Sequence, residues 1–196
     1  MNPFAKKIAW FVLPLCLGVS SVAAAQPGYY QGQPPPPRPP GLYRSGLVLG
    51  VALGGGRAGA SCDGCDSYGG FAGEFHIGGM VSPQLALEGD FSTIIRSVGY
   101  NQTISYNNGY LAAQFWAIPI FWIKGGIGVG FLSFDDNWTG YSIQSKTGGS
   151  LMFALGVEVL QTPSFALDVQ LRFAGTRFDE NNTVNSVAIM VGANWY

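Results

Sequence analysis

From Phe165 to Phe173 the chain reads Phe-Ala-Leu-Asp-Val-Gln-Leu-Arg-Phe, with an apolar residue at every odd position and a small, polar or charged one between. A period of two sorts side chains onto opposite faces only in an extended strand, where successive Cβ atoms alternate sides. The same code marks eight segments from Gly46 onward. Their apolar sets are Leu47 to Leu53, Phe71 to Ile77, Leu85 to Phe91, Leu111 to Ala117, Phe121 to Phe131, Leu151 to Val159, Phe165 to Phe173 and Val187 to Trp195, all on odd numbers. Each segment is close to the ~9–11 residues that a tilted strand needs to cross a bilayer core.

The connections alternate in length. Ser82-Pro83-Gln84, Ile118-Pro119-Ile120 and Gln161-Thr162-Pro163-Ser164 read as tight turns, each with a proline that suits a turn and ends a ladder. The other four, Arg57 to Ser67, Arg96 to Asn108, Ser133 to Lys146 and Arg177 to Thr183, read as longer polar loops. Short turns at one end and long loops at the other predict a bacterial outer-membrane barrel with periplasmic turns and external loops. Phe121, Phe165 and Trp195 fall at the turn ends of their strands and Phe71, Phe91, Phe131 and Phe173 near the loop ends, as two aromatic girdles would.

Composition narrows the choice. Only 11% of residues are charged and the formal net charge is −1, with 29 glycines and 14% aromatics. Soluble domains carry about 25% charge, so much of this exterior faces something other than water. The balance offers no basic surface for nucleic acid. Residues 1–25 have the order of a secretory signal peptide: Lys6 and Lys7, an apolar run from Ile8 to Val19, then Ala23-Ala24-Ala25. Residues 26–44, rich in proline, read as a polyproline-type periplasmic tether, a passive spacer or a docking segment. With no further run of ~20 apolar residues, a closed sheet is the way left to satisfy every backbone group in lipid. Residues 45–196 are thus expected to be all-β, an eight-stranded antiparallel up-and-down transmembrane β-barrel with both termini periplasmic.

The segment from Gly46 to Tyr196, above all Leu85-Ala-Leu-Glu-Gly-Asp-Phe91 and Leu151-Met-Phe-Ala-Leu-Gly-Val-Glu158, resembles the small eight-stranded outer-membrane barrels, the OmpA transmembrane domain and the OmpX/Ail-like proteins. The resemblance is one of pattern, leader and strand count. It implies outer-membrane lipid, lipopolysaccharide and the barrel assembly machinery as partners. In that family the last residue is usually an aromatic in phase with the lipid-facing set; here Trp195, not Tyr196, has that phase.

If the apolar faces meet lipid, the even positions define the lumen: Glu74, His76, Glu88, Asp90, Gln114, Trp116, Lys124, Glu158, Asp168, Gln170 and Arg172. Five carboxylates there face two permanent cations, so Lys124 and Arg172 are expected to bridge acids in a structural network, since unpaired buried charge is costly. A proton or ion path is the alternative. His76 and Glu74 could serve a lipid-modifying hydrolase, but no serine signature completes the set, and the chain is read as non-enzymatic with no cofactor. Cys62 and Cys65 in the first loop are expected to form a disulfide in an oxidising compartment; Asp63 and Asp66 keep a metal site as the alternative. Tyr100, Tyr106, Trp138 and Tyr141, set among Asn, Ser and Gly, are candidate loop contacts for an extracellular protein or surface ligand. The function expected is envelope-structural or surface recognition and adhesion. A soluble exported carrier of the lipocalin kind, with the code inverted, and a small-ion channel are the other readings.

Overall fold

The computed structural model describes residues 44–60, 67–98, 102–136, 141–144, 147–179 and 182–196. The expected leader, residues 26–43, Cys62, Cys65, Tyr100 and Trp138 lie outside the described residues. The strands are β1 (Leu47–Ala60), β2 (Ser67–Ser82), β3 (Leu85–Val98), β4 (Gln102–Ile118), β5 (Phe121–Asp136), β6 (Tyr141–Gln144), β7 (Gly148–Gln161), β8 (Phe165–Asp179) and β9 (Asn182–Trp195). Eight of them form a closed antiparallel ring, β1-β2-β3-β4-β5-β7-β8-β9, with β9 paired back onto β1 from Leu49↔Trp195 to Ala60↔Val184. The four-residue β6 lies on the loop end of β5, where Ser133–Asp136 have run past β7.

The odd–even code holds around the ring. Leu111, Ile127, Leu151 and Ile189 are 61–66% exposed on the outer surface, while Trp116, Trp122, Lys124 and Met190 on the even face are each 1% exposed. This is the reverse of a soluble carrier barrel, which hides its apolar face, and the lipocalin alternative fails on that observation. The lumen is narrow enough that even positions alternate bulk with absence of bulk. Gly156 of β7 sits against the Trp122 indole of β5, and a Cβ there would fall inside the van der Waals surface of Trp122 Cζ2.

The strands outrun the apolar pattern. On β4 the outward set changes from Leu111, Ala113 and Phe115 to Asn107, Ser105 and Thr103, yet the ladder with β3 continues to Val98↔Gln102. With 17 residues, β4 is about 56 Å long at ~3.3 Å per residue and rises about 43 Å at a ~40° tilt, against an apolar band of ~25 Å. The four long loops expected from the sequence are therefore shortened: paired strands occupy most of 96–108 and 177–183 and the two ends of 57–67, and β6 with the end of β5 fills part of 133–146. Backbone ladder bonds do not require apolar side chains, so pairing persists where the lipid-facing code stops. At the other end each tight turn is preceded by a register shift, at Met80/Ser82, Trp116/Ile118 and Glu158/Leu160.

Candidate functional site

All eleven lumen residues expected from the even positions, from Glu74 to Arg172, are buried at 5% exposure or less. Three layers organise them along the axis.

In the central layer β2, β3, β5 and β8 aim charged side chains at one another. Lys124 Nζ lies 3.2 Å from Glu74 Oε1, 2.9 Å from Glu88 Oε2 and 3.3 Å from Asp90 Oδ2. Arg172 reaches Glu74 Oε2 at 2.9 Å and Asp90 Oδ1 at 2.6 Å. Gln170 Nε2 donates to Glu74 Oε2 at 3.1 Å, and His76 Nδ1 lies 3.2 Å from Glu74 Oε1. Two cations thus hold three carboxylates in contact across the lumen. Gln114, cross-strand to Lys124, is buried beside this set, and its Oε1 has no hydrogen-bond partner among the described residues. Glu74, His76 and Asp90 bring one donor atom each within 4.8 Å of one another, a spacing that a metal ion could use. The Lys124 ammonium already stands among them, so a dication would have to displace a tethered charge.

Towards the loop end the lumen is neutral. Tyr106 Oη, Thr176 Oγ1, Ser150 Oγ, Asn108 Oδ1 and Tyr110 Oη form one hydrogen-bonded cluster, with links of 2.5 Å from Tyr106 to Thr176 and 2.9 Å from Tyr110 to Ser150. Tyr106, expected as a loop contact, is 1% exposed and belongs to this plug. The reason is parity: Tyr106, Asn108 and Tyr110 share the even face of β4 with Gln114 and Trp116, and β4 begins early enough to place them inside. Tyr141, the remaining described loop candidate, opens β6. A void of about 10 Å³ lined by Tyr106, Asn108, Ile94, Met190 and Arg172 has room for a single water.

The turn end is closed by a third layer, the floor, built around Glu158 of β7. Trp116 Nε1 donates to its Oε1 at 2.6 Å and Tyr196 Oη at 3.0 Å, while Arg44 Nη2 and Gln161 Nε2 each reach Oε2 at 2.5 Å. Tyr196, out of phase with the lipid-facing set, turns inward and packs edge-on to Trp116 with centroids 5.9 Å apart. Trp195 faces outward against Phe165 at 5.3 Å. Burial first, and then the neighbouring Glu158 carboxylate, push the Tyr196 phenol above the ordinary tyrosine range. Above the floor, Asp168 Oδ2 accepts from Trp122 Nε1 at 3.2 Å and from Asn194 Nδ2 at 2.8 Å. Arg44, assigned by composition to the tether, is 3% exposed and belongs to the barrel. No pattern could place it, because it precedes the alternation and turns under the floor through Gly46, whose φ of +90° favours glycine.

No family model matches the chain, and no curated protein matches it. Among solved structures, Neisserial surface protein A is 18% identical, with 77% of this chain and 97% of that one covered and a TM-score of 0.59. Ail, the attachment invasion locus protein of Yersinia pestis, is 17% identical, with 77% and 98% covered and a TM-score of 0.51. These likenesses establish the fold, a small eight-stranded antiparallel barrel of the outer-membrane type.

Proposed function

We propose that this chain is a non-enzymatic barrel of the bacterial outer membrane whose task is carried by its loop end, as a recognition or adhesion surface anchored by a sealed stave. The observation that carries this reading is the filled lumen: ion pairs at the centre, a hydroxyl and amide cluster towards the loops and the Glu158 floor occupy the cross-section in turn. Eight strands leave only enough width for side chains to fill, and here they fill it. The exposed apolar belt supports residence in lipid, and the polar strand extensions beyond it hold a sheet clear of the membrane surface. His76 and Glu74 are shut inside the lumen, where a lipid substrate has no approach, which supports the non-enzymatic reading.

The test replaces residues 137–146 by a two-residue turn and follows two readouts in bacteria displaying the protein. Heat-modifiable migration of the folded barrel should persist, and adherence to host cells or matrix proteins should fall at least tenfold. Unchanged adherence would overturn the recognition role, and recovery of the wild-type protein in the soluble periplasm would overturn the membrane reading.

A further inference from the structure

Arg44 is held by the floor as a ligand is held. Its guanidinium carbon stands 4.4 Å over the Trp116 ring and 5.3 Å from the Tyr196 ring centroid, and Nη2 bonds both Glu158 Oε2 at 2.5 Å and the Pro119 carbonyl at 2.8 Å. Two π faces, a buried carboxylate and a backbone carbonyl are the parts that recognise a planar, weakly hydrated cation. Both Trp116 and Glu158 are 3% exposed or less, so the parts are built into the barrel and fixed by the bond between them. The occupant is fitted less completely than the site. Nη2 makes both of these bonds, and among the described residues the buried Arg44 Nε has no hydrogen-bond partner. A two-pronged grip on a carboxylate is the geometry that guanidinium ordinarily favours; Glu158 Oε1 is already engaged by Trp116 and Tyr196, which leaves Arg44 a single prong on Oε2.

We propose that the barrel floor is a guanidinium-binding site, occupied in cis by Arg44 and open to exchange with an arginine side chain or a free guanidinium when Arg44 withdraws. Trp116 and Tyr196 supply the cation-binding faces, Glu158 the counter-charge and Pro119 the carbonyl. A guanidinium without the backbone tether can lie against the same faces and donate to Glu158 Oε2, the oxygen that Arg44 vacates, so the site takes up an external cation once the internal one is removed.

The Trp116 indole N–H, which donates to Glu158, reports on the site by NMR of the full chain in micelles. In Arg44→Ala, methylguanidinium is expected to shift this resonance saturably in the millimolar range, while wild type is unaffected at the same concentrations. Arg44→Ala/Glu158→Gln, with barrel migration retained, should lose the response at least tenfold. N-acetyl-arginine amide is the second arm: equal binding assigns recognition to the guanidinium head, and tighter binding adds the peptide group. No shift in Arg44→Ala, or an equal shift without Glu158, overturns the proposal. Should Arg44→Ala fail to fold, Arg44→Lys decides: methylguanidinium is expected to displace the ammonium, and an unresponsive indole overturns the site.

Discussion

Arg172 of β8 and Asp90 of β3 meet across the lumen as a two-pronged pair, Nη2 to Oδ1 at 2.6 Å and Nη1 to Oδ2 at 3.2 Å. Their Cα atoms sit on strands that are not neighbours in the ring, so the pair is a cross-brace and adds nothing to the ladders. Removing one partner leaves the other charge buried. Arg172→Met is expected to lower the unfolding free energy by about 3–5 kcal/mol. Asp90→Leu/Arg172→Met removes one charge of each sign and should recover more than half of that loss, as read by reversible denaturant unfolding in lipid vesicles. A double variant as damaged as the single one would show that the brace is not a closed electrostatic unit.

The Gly156–Trp122 contact predicts an overpacking defect. Gly156→Ala should cost about 1–3 kcal/mol, because the indole must leave its rotamer or the strands must part. Adding Trp122→Phe should return part of it, and near-additivity of the two substitutions in unfolding experiments would refute the steric account.

The position of the lipid boundary can be mapped with arginine. Ile127→Arg, in the exposed apolar belt, is expected to cost about 2–4 kcal/mol, whereas Thr103→Arg, on the polar extension of β4, should cost ~1 kcal/mol or less. Equal costs would mean that β4 is immersed to its loop end.

Tyr196 should give the barrel an alkaline limit. Its phenol titrates higher in the folded protein than the ordinary value of about 10, so its contribution is complete below that pH and is lost as pH rises through the folded value. Unfolding free energy should therefore fall above about pH 10 in wild type, and Tyr196→Phe should flatten that slope. The same slope in both proteins would assign the alkaline loss elsewhere.

The alternation in Phe165–Phe173 was sufficient to read the strand, its two faces and the identity of the lumen acids, because parity is a local property of each strand. Strand ends were not legible. The lipid-facing code ends where outward residues turn polar, so the pattern assigns Tyr106 to a loop although its parity already matches Gln114 and Trp116. Arg44 and Tyr196 escaped for another reason: the floor gathers groups from the stretch before β1, from β4, from β7 and from the residue after β9, and only the closed ring brings these together. The partition of charges was visible in the sequence; which acid takes which cation depends on the tilt between strands, which no periodicity records.

The seam between β1 and β9 sets a condition on how such a molecule is made. Without β9 the facing edges of β1 and β8 would both be left with unanswered amides and carbonyls, so a ring lacking this one strand is an open sheet and not a smaller barrel. The pairing of β9 with both β8 and β1 is what removes the last two edges of the sheet, and it removes them together.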